Sequence, residues 1–267
     1  MGYVLLGLGL GTGIGMGGAL FHILNHAVFK MLLFLCMGAI IFSTREREIN
    51  KLGGLAKKLP VTFVAFCFGA LAISGIPPFN GFASKALISQ AVADNTYLKI
   101  ILVVTAAGTF AAFLKLYFHV FFGRMPKTLK KIKPLPFLMK LPLVILALFS
   151  LLVGFFPNLV LAKLIGPIAE FNLAYNFWQP RLLVETLVIV LLGGLFYYIG
   201  MKSGFLRLTA EDKPTCFSLD RFYVGLAVLI EKFSFALRRL LARDLNVYLR
   251  WIFLTLVLLL TLFWAAI

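Results

Sequence analysis

Residues 18–42 read GALFHILNHAVFKMLLFLCMGAIIF, an apolar run long enough to cross a bilayer as a helix that nonetheless carries His22, His26 and Lys30. Steps of four residues advance about 40° around an α-helix, so the three groups form a slanting polar ladder about 12 Å long on one face. An ammonium at the centre of a spanning helix costs about 2.5–3.5 kcal/mol on insertion scales, and something must offset it. Lys30 lies near the middle of the run, too deep for its stem to carry the charge to water, and snorkelling would leave both histidines unexplained. A ladder of titratable groups in an otherwise greasy rod suits the passage of protons or ions.

The surrounding composition agrees with a bilayer setting. The chain has 267 residues, 61% of them hydrophobic, and a mean hydropathy of +0.99, well beyond soluble domains, where roughly half the residues are apolar. This is the profile of an all-α, multi-span integral membrane protein of the cell membrane. A net charge of +16, from 26 Lys+Arg against 10 Asp+Glu, sits in short clusters between apolar segments. That distribution suits anionic lipid headgroups and positive-inside orientation and speaks against a nucleic-acid partner. Cys36, Cys67 and Cys216 show no metal spacing and read as small thiols, the first two in apolar segments. The start of the chain has no basic leader of the kind a cleavable signal carries.

Ahead of the ladder, residues 2–10 are apolar but only about half as long as a spanning helix. Glycines 7, 9, 11, 13, 15 and 17 follow in alternation, and Gly13-x-Gly15-x-x-Gly18 matches a dinucleotide fingerprint by letter. No strand precedes it and no acidic residue lies about twenty positions on, so a flexible connector or close helix packing is the better account.

Beyond the ladder, residues 43–59 hold Arg45, Glu46, Arg47, Glu48, Lys51, Lys57 and Lys58, a solvated loop with Gly53-Gly54 as its turn. Residues 60–74 form a short apolar helix. In the following Gly75-Ile-Pro-Pro-Phe-Asn-Gly-Phe-Ala-Ser-Lys85, Pro77, Pro78 and Gly81 break a helix and free backbone groups that lipid cannot satisfy. Such a discontinuous helix must be buried in protein or line a hydrated cavity, and Lys85 stands just past the break, as charged groups do at ion sites of transporters. Asp94-Asn95 is a turn. Residues 96–123 are a full span carrying Lys115 and His119 at i, i+4, close enough to the basic loop 124–133 that snorkelling competes with a relay role. That loop holds Arg124, Lys127, Lys130, Lys131 and Lys133. Residues 138–162 and 182–201 make further spans, with Glu185 beside Arg181 reading as an interfacial anchor. Over residues 219–246 charges recur near multiples of 3.6 between apolar positions, the pattern of an amphipathic helix lying along a surface, and 247–267 re-enters as a terminal anchor.

The series His22-x3-His26-Ala-x-Phe-Lys30, Leu52-Gly-Gly-Leu55 and Gly75-Ile-Pro-Pro-x2-Gly-Phe-x-Ser-Lys85 resembles the antiporter-like subunits of complex I, of Mrp antiporters and of membrane-bound hydrogenase and sulfur reductase complexes. Members carry two inverted five-helix repeats, each with a discontinuous helix, and this chain is similar to the second repeat plus a C-terminal extension with a lateral helix. By that resemblance Lys30 corresponds to the central lysine of the proton path, His22 and His26 to its relay histidines, and Lys85 to the terminal lysine, with Lys115 and His119 as further candidates. The resemblance implies a subunit forming half of a proton-translocating channel in a redox-driven pump, with no redox chemistry, cofactor or metal of its own. Its expected partners are lipid, a redox module in separate subunits and other membrane subunits. The first repeat and its acidic residue are absent here, so the resemblance implies a neighbour supplying them, or a truncated gene.

The expected division is residues 1–17 as partial helix and Gly-rich connector, 18–162 as the half-channel repeat and 163–218 as an extra span with connector. Residues 219–246 follow as the lateral helix and 247–267 as the anchor, giving about seven full spans plus a half-span. Counting residues 77–93 as a full span puts loops 45–58 and 124–133 on opposite sides, although the positive-inside rule would prefer them together. Two other functional classes stay open: a sodium/proton antiporter subunit, which a path of lysines and histidines without oxygen ligands disfavours, and an ion-silent scaffold clamped by the lateral helix.

Overall fold

The computed structural model describes residues 1–126, 129, 132–166, 175–203, 225, 227–235, 254, 255 and 261. Two compact units result, Met1–Thr209 and Ala210–Ile267. In the first, α1 (Gly2–Gly9), α2 (Gly13–Thr44), α3 (Pro60–Ser74), α4 (Asn80–Ala91), α5 (Thr96–Phe121) and α6 (Phe137–Phe155) are followed by the single turn α7 (Pro157–Val160), a π-turn (Leu161–Ile165) and α8 (Pro180–Lys202). In the second unit residues 227–235 are helical and exposed, inside the expected lateral helix. Apart from residue 225, the remainder of that helix lies outside the described residues, as do nearly all of the terminal anchor, Cys216, Lys127, Lys130 and Lys131. Helices α2, α5, α6 and α8 are each long and apolar enough to cross a membrane.

The ladder helix starts at Gly13, not Gly18. Thr12 caps it, its hydroxyl accepting from Gly15 N at 3.2 Å, and the glycine run becomes its first turns. Those glycines serve contact with α1. A Cβ on Gly7 would stand 2.7 Å from Gly15 O, and one on Gly15 equally close to Gly7 O, so only glycine lets these backbones meet. At its other end α2 stops at Arg45, which takes a left-handed φ of 60°.

The main correction to the sequence reading concerns span count. Helix α3 has 15 residues and α4 has 12, about 22 Å and 18 Å of helix, each too short for a hydrocarbon core of roughly 30 Å. They lie in series along α2 and antiparallel to it. Gly69 meets Leu33, Gly18 meets Leu87 and Ile88, and Asn80 bonds Asn25 between them. One interrupted crossing therefore replaces two full ones. Helix α5 returns antiparallel to α3, with Phe63 stacked on Tyr117 at 5.2 Å and Phe66 near Phe113 at 6.5 Å. Helix α8 runs parallel to α5, from the Lys99–Glu185 pair past Gly193 at Ala107 to Tyr197 stacked on Phe118 at 5.9 Å. The expected span to Ala162 ends at Phe155, because Pro157 interrupts it.

The basic loops follow from that count. Gly54 N donates to Phe122 O at 3.0 Å, Ala56 N to Phe121 O at 3.1 Å and Lys133 N to Ser43 O at 3.0 Å. Loops 45–59 and 122–136 thus join at one end of the bundle, on the same side, as the positive-inside rule prefers. The expectation of opposite sides fails because α3 and α4 cross together.

Two of the three apolar clusters among the described residues are the larger. Phe29, Leu32, Phe66, Phe121 and Leu143 centre one among α2, α3, α5 and α6. Phe21, Phe82, Leu87, Leu161 and Phe177 centre the other, at the α4 end.

Candidate functional site

The break between α3 and α4 is where the polar residues gather. Helix α3 ends at Gly75, whose φ of +80° is a left-handed conformation that glycine adopts without strain. Ending the helix there leaves carbonyls at its last turn without intrahelical donors. Lys85 Nζ reaches back from α4 to donate to Ile73 O at 2.7 Å, and the lysine stem passes so close that a Cβ on Gly75 would lie 2.8 Å from Lys85 Cδ. The Pro77-Pro78 bond is cis. Gly81 completes the crossing, since a Cβ there would overlap the carbonyl oxygen of Ala72.

Three buried side chains pin this break to its neighbours. Asn25 Nδ2 donates to Asn80 O at 3.1 Å, Asn80 Nδ2 donates to Asn25 Oδ1 at 3.2 Å, and Ser150 Oγ donates to Asn80 Oδ1 at 2.8 Å. Asn25, Asn80 and Ser150 are each 0% exposed, so every bond lost among them would leave a desolvated polar group.

His22, buried on α2, has its Nδ1 2.8 Å from Ser84 Oγ on α4. His26 and Lys30 are half-buried on the same face. The imidazoles of His22 and His26 are 6.1 Å apart between centroids, and His22 lies 5.6 Å from the ring of Tyr3. That same Tyr3 ring holds Lys85 Nζ 4.9 Å from its centroid, within cation–π range, while its hydroxyl donates to Leu102 O at 2.8 Å. Lys30 Nζ stands 6.0 Å from the centroid of Phe34, at the limit of that interaction. His22, His26, Lys30 and Lys85 all line one open groove of about 610 Å³, whose far wall includes Thr105 and Thr109 of α5. Lys115 and His119 are not part of it. They line a separate cavity of about 300 Å³ with Arg124, Tyr197 and Met201, at the end of the bundle where the basic loops meet.

Sequence reasoning missed one carboxylate. Glu185 is no interfacial anchor: its Oε1 accepts from Ser89 Oγ on α4 at 2.7 Å, and its Oε2 lies 3.6 Å from Lys99 Nζ on α5. With Tyr3, Ser74, Gly75, Lys85 and Ser89 it lines a cavity of about 30 Å³. Glu185 thus shares the lining of one cavity with Lys85, while its direct partners are Ser89 and Lys99. The physical reason is the parallel packing of α8 on α5, which local sequence does not announce. The available signal was a lone carboxylate inside an apolar span.

Residues 1–112 match the family described as NADH:quinone oxidoreductase/Mrp antiporter, TM. The Na(+)/H(+) antiporter subunit A1 of Staphylococcus haemolyticus (strain JCSC1435) is 31% identical over 241 residues, 81% of this chain and 29% of its own length. The corresponding Na(+)/H(+) antiporter protein of Bacillus subtilis (strain 168) is 31% identical over 265 residues, 88% of this chain and 33% of its own. The chain thus spans about a third of the length of the curated relatives it matches. Among solved structures, the membrane-bound sulfane sulfur reductase, an archaeal respiratory membrane complex, superposes with a TM-score of 0.65 and 27% identity over 97% of this chain and 50% of that chain. The Mrp complex from Dietzia sp. DQ12-45-1b gives 0.56 and 26% over 70% and 42%. Sequence and fold together make this chain a multi-pass membrane protein that resembles the antiporter-like subunits of the NADH:quinone oxidoreductase/Mrp antiporter family.

Proposed function

We propose that this chain forms half of a proton-translocating channel in a multisubunit, redox-driven membrane complex, with Lys30, His26, His22 and Lys85 as its relay. The observation that supports this reading best is the single groove that all four line beside a broken helix. Imidazole and amine side chains can each take up and release a proton, which is what a relay requires. The break frees the carbonyl of Ile73 to accept from Lys85, and Ser84, the residue before Lys85 on α4, bonds His22 of the ladder. The face carrying Arg45, Arg47, Lys51, Lys57, Lys58, Arg124 and Lys133 points to the cytoplasm.

The partners in this reading are lipid, a redox module and other membrane subunits. One of these segments, on this polypeptide or another, covers the groove and supplies the first antiporter-like repeat. Residues 18–162 act as the half-channel, and the region 219–246 braces the assembly as a lateral helix. Lys115 and His119 serve the cytoplasmic approach. The names of the curated relatives favour a second reading, sodium/proton exchange, in which this half carries the proton.

The test is proton uptake or release in vesicles containing the assembled complex, with Lys85→Met and Lys30→Ala compared with wild type. Loss of the pH gradient with intact assembly is expected. Wild-type gradients in both variants would reduce the chain to a scaffold, and a gradient that requires sodium would favour the exchanger.

A further inference from the structure

Resting on that reading, we propose that Glu185 is the carboxylate that exchanges a proton with Lys85 and passes it to the face where α5 and α8 begin. The geometry places the two groups around one cavity of about 30 Å³, with Ser74, Gly75, Ser89 and Tyr3 completing its wall. Such a volume holds about one water, and a water needs two to four polar partners. Lys85, Glu185, Ser89 and Ser74 are polar residues in its wall that can provide them.

The arrangement on Glu185 is asymmetric. Ser89 Oγ donates to one oxygen from inside the protein at 2.7 Å, whereas Lys99 approaches the other at 3.6 Å. The Lys99 and Glu185 side chains are 26% and 16% exposed, so the pair stands between the cavity and the surface. In the step proposed, the Lys85 ammonium gives a proton to the cavity water, and that water gives one of its own to Glu185. A neutral amine and a neutral carboxylic acid result, with no change in total charge. Lys99, 3.6 Å from the other carboxylate oxygen and more exposed, marks the outward side of the pair. Ser89 holds the carboxylate in reach throughout. The outlet lies at the end of the bundle opposite the basic loops, so the route Lys30, His26, His22, Lys85, Glu185 runs from mid-membrane to the non-cytoplasmic side.

The experiment uses the assembled complex in vesicles. Glu185→Gln should accumulate normally and lower proton translocation by about a hundredfold, the scale on which a positioned acid–base group acts. Glu185→Asp should recover a substantial part of the rate, and the double variant Lys85→Met/Glu185→Gln should be no slower than Lys85→Met alone. Wild-type translocation in Glu185→Gln together with loss in Lys85→Met would overturn the proposal while leaving the relay in place. Wild-type rates in both variants would reject the relay itself. If Glu185→Gln does not accumulate, infrared difference spectra decide: a protonated-carboxyl band that shifts in Glu185→Asp and vanishes in Lys85→Met supports the exchange, and a spectrum unchanged by both overturns it.

Discussion

Lys30 stands at mid-helix on α2, half-buried, with its ammonium 6.0 Å from the ring of Phe34. Deleting such a charge relieves an insertion cost and, in the proposed relay, removes a proton carrier. Lys30→Ala is therefore expected to assemble at wild-type levels and to lose coupled translocation, measured as a pH gradient in vesicles. Lys30→Arg should fail equally, because a guanidinium stays protonated and a relay needs the neutral form. Wild-type transport in the arginine variant would show that Lys30 acts only as a fixed charge. Gly75 makes a different demand. Its φ of +80° and the 2.8 Å approach to Lys85 Cδ mean that Gly75→Ala strains the backbone by about 1–2 kcal/mol and displaces the lysine. A lowered unfolding temperature together with lost translocation is expected; unchanged values for both would contradict the packing described.

At the level of elements, the interrupted crossing is held open by what its residues lack. Pro77 and Pro78 have no N–H to continue a helix, and Asn80 takes hydrogen bonds from Ser150 and gives them to Asn25, tying the gap to α6 and α2. Replacing both prolines by alanine is expected to reduce transport more than stability, by allowing the helix to close and withdrawing the backbone groups around Lys85. Full activity with the break unchanged in a structure of the double variant would refute this. Ser150→Ala should do the reverse. It leaves Asn80 Oδ1 short of a buried donor, at about 1–3 kcal/mol, so thermal unfolding in detergent should fall measurably while a residual relay persists.

For the molecule as a whole, the pairing of loops 45–59 and 122–136 makes a prediction about sidedness. In a background without native cysteines, Lys58→Cys and Lys133→Cys should react with an impermeant maleimide from the same side of sealed vesicles, and Asp94→Cys from the other. Labelling of Lys58→Cys and Lys133→Cys from opposite sides would restore two separate crossings for α3 and α4. The positive-inside rule assigns the shared side to the cytoplasm, which places Glu185 and Lys99 at the opposite end.

Periodicity, hydropathy and helix-breaking residues act over a turn or a helix length, and those features of this protein could be read from the sequence alone. The ladder of His22, His26 and Lys30, the interruption at Pro77, Pro78 and Gly81, and the all-helical membrane character are of this kind. The bounds of α3 were legible too, since Pro60 suits a first helical turn and Gly75 a left-handed cap. Tertiary structure alone decided which helices share a crossing and which side chains meet. The hydrogen bond from Ser89 to Glu185 joins residues 96 positions apart, and the one between His22 and Ser84 spans 62. Contacts at that separation depend on how rods pack once they are in the membrane, and no window of local sequence contains both partners. That is why Glu185 reads as an anchor beside Arg181 in the sequence and meets Ser89 and Lys99 in the fold.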